Sequence, residues 1–381
     1  MTDALQKLRV VIAGGGTGGH LFPALNIAEG IKQKWQSEFL FFGSDRGLES
    51  KKVPELGYQL KIIPVAGFHR RLTIKNLTFP FKLLKSMQIC RQTLKEFNPH
   101  LVVGSGGYVM GPVLKSAAAL GIPIIIQEQN SFPGVTTRML AKKTDIIFLG
   151  NPDARTYLNR ARKLVDSGNP ISFKPTTAKK EDIYEEFGLK KELKTILVFG
   201  GSQGALSINK AIRQILEQEV LKHDTQLLWQ TGERSFEEYD KFIAQNQVKN
   251  TVVKPFIDQM SKAYVVADFA ICRAGAITIS ELMAAGLPAV LVPLISAAGN
   301  HQYKNALGLE QKKAAMMVED NEKLTENLIS AIKQLLSEDG LRNQLAENIH
   351  SLFKSDTMEI IINAIDDLLK EKYDFGFLVN Y

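Results

Sequence analysis

Cysteine is nearly missing from this chain. Cys90 and Cys272 are the only two among 381 residues, far from each other and from any histidine–cysteine group with ligand spacing. This argues against a disulfide framework and a zinc site, and points to a reducing, cytosolic setting. Long apolar runs are also lacking. The most apolar region, AITISELMAAGLPAVLVPL, contains Glu281, Pro288 and Pro293, so it is not an ordinary membrane span. No basic-then-apolar segment precedes the first apolar run, and neither secretion nor bilayer threading is expected. Finally, D-x-D does not occur, although many metal-dependent transferases use that carboxylate pair to hold a divalent ion on a diphosphate. No cofactor is therefore expected to be required, with stimulation by a divalent cation left open and no metal-ligating residues assigned.

Charge is unevenly spread. Residues 1–168 hold 23 Lys and Arg against 11 Asp and Glu, a balance of +12, while 169–381 hold 24 against 29, a balance of −5. A basic first part suits a surface facing phosphates, whether in nucleic acid, anionic lipid or a pyrophosphate substrate. No nucleic-acid module or aromatic stacking platform is visible, so nucleic acid is not an expected partner. The length exceeds that at which one core usually stops growing, which favours two domains.

One phrase recurs along the chain. RVVIAGGGTGG, PHLVVGSGGYVMG and KTILVFGGSQGA are each a β-rich apolar run ending in glycines and leading into helical spacing. Further strand candidates are FLFFGS, IPIIIQ, TDIIFLG, TQLLWQTG, NTVVKPF, DFAICR and AVLVP. This alternation predicts an α/β protein with two Rossmann-like halves, each a doubly wound parallel sheet covered by helices on both faces. SGNPISFKPTTAKKEDIYEEF reads as the linker, with a boundary near 168–175. The expected division is 1–168, 169–350 and a closing stretch, 351–381, whose amphipathic DTMEIIINAIDDLLKEKY packs back on the first domain.

A strand that runs through glycines into a helix exposes unpaired N–H groups at the positive end of the helix dipole, and glycine lets an anion approach them. Gly14, Gly16 and Gly19 satisfy G-x-G-x-x-G, so an NAD-dependent Rossmann oxidoreductase is one reading. It fits poorly, because FLFFGSDRG interposes Gly43 and Ser44 before the acid expected to hold a ribose. Glycine loops in both halves suit group transfer better, since two such domains with facing loops would make one cleft with two binding walls.

As a set, GGGTGGHLFPALNIA, GLESKKVPELGY, VAGFHRRL, VVGSGGYVMGPVL, EQNSFPG, GNP, VFGGSQGA, CRAGAITISELMAAGLPAVLVP and NHQYKNA closely resemble the MurG family of peptidoglycan glycosyltransferases, family 28, over roughly residues 9–310. The resemblance implies a GT-B enzyme that moves N-acetylglucosamine, with inversion, from UDP-N-acetylglucosamine to undecaprenyl-pyrophosphoryl-N-acetylmuramoyl-pentapeptide, converting lipid I to lipid II. It also implies peripheral attachment at the cytoplasmic face of the bacterial plasma membrane, with proteins of cell-wall synthesis and division as further partners. A related transferase acting on diacylglycerol and a non-catalytic nucleotide-sugar binding protein are the rival readings.

Inverting transfer needs a base for the acceptor hydroxyl and stabilisation of charge on the departing UDP. His20, just past the first glycine turn, is the candidate base, since an ordinary imidazole titrates near working pH; Glu128 is its rival. By resemblance Gly16, Thr17, Gly106, Gly107 and Tyr108 line the acceptor side. Thr17, Gly18, Gly19 and Asn130 approach the donor sugar. On the donor wall the resemblance places Ser202, Gln203 and Gly204 at the diphosphate, with Ala276, Ile277 and Thr278 bordering the donor. Glu281 takes the ribose hydroxyls, Ile257 covers the uracil, and His301 and Gln302 address the sugar. Two departures stand out: Gln127 replaces the histidine of the usual H-E-Q-N, and Ser172 replaces an arginine, with Lys174 a nearby substitute of different geometry. Residues 68–95 mix Arg70, Arg71, Lys75, Lys82 and Lys85 with Leu77, Phe79, Phe81, Leu84 and other apolar residues, a composition suited to docking on an anionic membrane surface.

Overall fold

The computed structural model describes residues 6–65, 79–173, 176–201, 203–221, 223–374 and 376–380. Arg70, Arg71, Lys75, Leu77, Lys174 and Ser202 therefore lie outside the described residues. The chain divides into two compact units, Met1–Ser172 with Asp356–Tyr381, and Phe173–Ser355. These limits lie a few residues beyond the expected 168/169 and 350/351. Part of the expected linker is helical: Lys180–Phe187 forms a helix that buries Ile183 and Phe187 and ends on Gly188 in the left-handed conformation. The i, i+4 spacing of those two apolar residues outweighs the charged, turn-rich composition around them.

The first unit is built on a seven-stranded sheet. Its strands are β1 (Leu8–Gly14), β2 (Ser37–Gly43), β3 (Gln59–Ile62), β4 (Leu101–Gly106), β5 (Ile124–Glu128), β6 (Ile146–Leu149) and β7 (Leu164–Asp166). Their order is β3-β2-β1-β4-β5-β6-β7, and every pairing is parallel. The second unit carries β8 (Lys194–Phe199), β9 (Thr225–Gln230), β10 (Thr251–Lys254), β11 (Phe269–Cys272), β12 (Ala289–Leu291) and β13 (Met316–Met317). They too are parallel, in the order β10-β9-β8-β11-β12-β13. Both units are thus Rossmann-like. The strand order reverses between β1 and β4 in one and between β8 and β11 in the other, and ligands of such sheets bind beyond the carboxyl ends of the strands at that reversal.

Alternate strand residues face opposite layers of core. Leu8, Val10 and Ile12 of β1 pack with Ile27, Ile31, Ile361 and Ile365, while Val11 and Ala13 pack on the other face with Cys90, Leu94 and Val113. The helix Thr357–Lys372 is therefore part of the first unit's core. Lys34 Nζ holds Asp366 Oδ2 at 2.7 Å beside that contact. Beyond the helix, Tyr373 donates to the His100 carbonyl at 2.9 Å, and Gln6 pairs with Phe377 and Trp35 with Val379 in isolated bridges. Cys90 and Cys272 are both buried, and burial pushes both thiols up, Cys90 to about 12.

Candidate active site

Because β1 and β4 are neighbours at the strand-order reversal, their two glycine turns meet in the first unit. Gly106 lies at φ +113°, and a Cβ there would collide with the ring of His20; glycine is needed for both reasons. A Cβ on Gly107 would sit 2.5 Å from the Gly15 carbonyl oxygen. His20 is the third residue of the helix Gly18–Lys34 and is half-buried. Ser105 Oγ donates to its carbonyl at 2.8 Å, and its Nδ1 lies 3.1 Å from Gln129 Oε1. Gly16, Thr17, Gly19 and Tyr108 are exposed, and Gly18 is partly covered.

The two carboxylates near this turn are buried. Glu128, expected as a loop acid that could rival His20, is the last residue of β5 and only 4 % exposed. Its Oε1 accepts from the N–H and Nδ2 of Asn130, and its Oε2 from the Gly134 N–H at 3.0 Å and Thr137 Oγ1 at 2.7 Å. Four donors occupy the usual accepting capacity of a carboxylate, so Glu128 organises the loop that carries Asn130. Glu49 is a residue the sequence reading missed. It lies inside GLESKKVPELGY, and no local feature of that motif marks it as buried. Fully buried, it accepts from the Gly16 N–H at 2.7 Å, the Ser44 N–H at 2.9 Å and Ser44 Oγ at 2.8 Å. Burial opposes its ionisation, but these donors together hold its carboxyl below the usual range. The Gly16 N–H is thus already spent on the protein's own carboxylate, a correction to the picture of an entirely unpaired glycine turn.

The second unit repeats the arrangement with β8 and β11. Gly204 lies at φ +73°, where a Cβ would strike the Thr231 carbonyl, and Gln203 beside it is exposed. The helix Ala276–Ala285 begins just beyond β11, leaving Ala276, Ile277 and Thr278 half-buried at its start. On that helix, Glu281 Oε2 accepts from the Tyr264 hydroxyl at 2.9 Å. Burial raises the Glu281 carboxyl above its ordinary range, with the Tyr264 hydrogen bond acting against it. His301 and Gln302 open the helix His301–Gln311, and Gln302 Oε1 accepts from the Leu294 N–H at 3.0 Å.

One expectation changes here. Ile257 is 3 % exposed and packs in the core, with its N–H donated to Gln230 Oε1 at 2.8 Å, so its side chain offers no broad face to a base; the exposed neighbour is Phe256. Ser172 Oγ donates to Asn26 Oδ1 inside the first unit. A cation that the sequence reading did not single out, Arg273, pairs with Asp320 at 2.7 Å and donates to Ser207 Oγ at 2.8 Å. That network ties the turn after β11 to the start of the helix Leu206–Glu217.

The N-terminal domain of glycosyltransferase family 28 matches residues 10–149, and the C-terminal domain of the same family matches residues 195–361. A protein of Christiangramia forsetii named UDP-N-acetylglucosamine--N-acetylmuramyl-(pentapeptide) pyrophosphoryl-undecaprenol N-acetylglucosamine transferase is 39% identical, covering 96% of this chain and 99% of its own. The protein of the same name from Parabacteroides distasonis is 39% identical, covering 97% and 100%. The crystal structure of Acinetobacter baumannii MurG is similar with a TM-score of 0.74 at 29% identity, over 94% of this chain and 99% of that one. Matched nearly end to end through both Rossmann-like units, the chain belongs to glycosyltransferase family 28.

Proposed function

We propose that the protein transfers N-acetylglucosamine from UDP-N-acetylglucosamine to undecaprenyl-pyrophosphoryl-N-acetylmuramoyl-pentapeptide, turning lipid I into lipid II for peptidoglycan. The near full-length match to relatives of that name carries the reading. The acceptor hydroxyl attacks the anomeric carbon, its proton passes to His20, and the bond to UDP breaks with the electron pair leaving on the diphosphate. His20 is preferred over Glu128 because the latter's oxygens are held by four donors within its own loop. The turn after β8 and the start of the helix Ala276–Ala285 hold the diphosphate through backbone N–H groups, and Glu281 takes a ribose hydroxyl while remaining bonded to Tyr264. With no D-x-D in the sequence, no divalent ion is assigned to the leaving group.

The test is a panel of sugar nucleotides offered with a lipid-linked muramoyl acceptor and read by mass spectrometry. Addition of one N-acetylhexosamine from the UDP donor is expected. His20→Ala should bind UDP-N-acetylglucosamine nearly normally yet transfer about 100-fold more slowly or worse. Turnover at the parental rate would reject the base assignment.

The acceptor reading requires access to lipid, and we place the protein peripherally at the cytoplasmic face of the plasma membrane. Among the described residues no helix is long and apolar enough to cross a membrane. Phe79 and Phe81 belong to the helix Phe79–Phe97, on which Leu84 is 65 % exposed between the exposed Lys82 and Lys85. Elsewhere in the same unit, an open hollow of about 500 Å³ is lined by Val135 and Met139 together with Arg138, Lys142, Lys143 and Arg160. Cations beside exposed apolar side chains suit an anionic headgroup layer. Leu84→Ser combined with Met139→Ser should weaken sedimentation with phosphatidylglycerol vesicles more than it slows transfer to a short-chain soluble acceptor. Equal losses would count against this docking face.

A further inference from the structure

Behind His20 lies a chain of three buried side-chain amides, all in the first unit: Gln129, Gln127 and Asn169. The amide end of Gln129 designated Nε2 lies 2.8 Å from the Ser105 carbonyl oxygen, 3.1 Å from that of Gln127 and 2.5 Å from Gln127 Oε1. Backbone carbonyls only accept, so this end of the amide must be its NH2 group. The opposite end, the oxygen, then faces His20 Nδ1 at 3.1 Å. An amide oxygen only accepts, so Nδ1 must carry hydrogen.

The support continues outward with the same logic. Gln127 uses its oxygen for Gln129, which turns its Nε2 toward Asn169 Oδ1 at 2.8 Å, and Asn169 Nδ2 returns to the Gln129 carbonyl at 3.2 Å. Gly150 leaves the room Asn169 needs, since a Cβ there would overlap its amide. Gln127 is one of the two positions at which this chain departs from the usual family motif. Its amide offers one acceptor and one donor in the directions the neighbours require.

We infer that Gln129, locked by Gln127 and Asn169, is a positioning residue that holds neutral His20 in the Nδ1–H tautomer and so leaves the lone pair on Nε2. This rests on the reading of His20 as the base. A neutral imidazole otherwise carries its proton on either nitrogen, and a ring protonated at Nε2 could not take a proton there. The device acts on the chemical step and does not touch the groups of the second unit assigned to the diphosphate and ribose. Replacing the amide should therefore lower kcat while KM for UDP-N-acetylglucosamine stays within about twofold.

The experiment is 15N NMR of the full-length protein labelled at histidine, at a pH where His20 is neutral, with its signals assigned by their loss in His20→Gln. Hydrogen on Nδ1 is expected in the parent. Gln129→Met should move hydrogen to Nε2 and lower kcat by about 10-fold or more. Gln127→Leu should move both readouts the same way, and Gln127→His should recover part of each, because an imidazole can also accept from Gln129 and donate to Asn169. A parent protein with hydrogen on Nε2, or an unchanged tautomer in Gln129→Met, overturns the inference. If the tautomer shifts as expected but His20→Ala turns over at the parental rate, the base assignment fails while the relay stands.

Discussion

At the scale of single residues, the first glycine turn is defined as much by the acid beneath it as by its glycines. Glu49 receives the Gly16 N–H and two groups of Ser44, and a Cβ on Gly15, Gly43 or Gly47 would run into its side chain. Glu49→Gln would turn an NH2 group toward one of these donors. Leaving one buried donor unpaired costs about 1–3 kcal/mol. A loss of that order in the unfolding free energy extrapolated from urea titration is expected, together with a higher KM for the lipid acceptor. Because the folded carboxyl lies below its ordinary value of 4.5, its stabilisation is full above that pH and disappears as the solution is acidified through the folded value. The substitution should therefore flatten the acid limb of the stability profile, and an unchanged limb would contradict the role given to Glu49. His20 could be picked out from the sequence because it directly follows a glycine turn. Glu49 and Gln129 could not, since they are functional only through burial against residues distant in sequence, which no local spacing encodes.

At the scale of elements, most strands were readable, the edge strand β10 included, whereas three short edge strands were not. β1, β4 and β8 show as apolar runs ending in glycine, but β3 is a largely exposed QLKI, β7 has three residues and β13 two, too little pattern to separate from loop. The final segment shows what pairing does to a single side chain. His100 is buried between Arg9 and the tail: its Nδ1 accepts from the Arg9 N–H at 3.0 Å, its carbonyl accepts from Tyr373, and the Phe377 ring meets it edge-on. Burial, with help from the Arg9 charge, lowers its pKa from 6.5 to about 4. The unfolded chain thus binds more protons between those values, so stability is full above pH 6.5 and falls as the pH drops toward 4. The slope is at most about 1.4 kcal/mol per pH unit. Urea titrations across this window should show it, and His100→Gln should reduce it; a slope unaffected by the substitution would remove His100 as its source.

At the scale of the whole molecule, the two units differ in how the chain builds them. Phe173–Ser355 is continuous, whereas the first unit needs Asp356–Tyr381 to return to Met1–Ser172. Ile361, Ile365, Leu368 and Leu369 are buried in the same cluster as β1 and the helix Gly18–Lys34. Each such side chain contributes about 1.5–3 kcal/mol when fully buried. Four of them amount to a large share of the 5–15 kcal/mol typical of a whole domain. The sequence pattern shows an amphipathic helix here but not how much of the first core depends on it, because that follows from the buried face it meets. Removing residues 356–381 should therefore unfold the first unit and leave the second nearly intact. Calorimetry of the shortened protein should show one cooperative transition in place of the full protein's larger heat. Amide exchange should lose protection in β1, β2 and β4 while retaining it in β8, β9 and β11. Binding of UDP-N-acetylglucosamine should survive, and transfer should be abolished. Retained protection in β1 would mean that the closing helix only covers a core already stable without it.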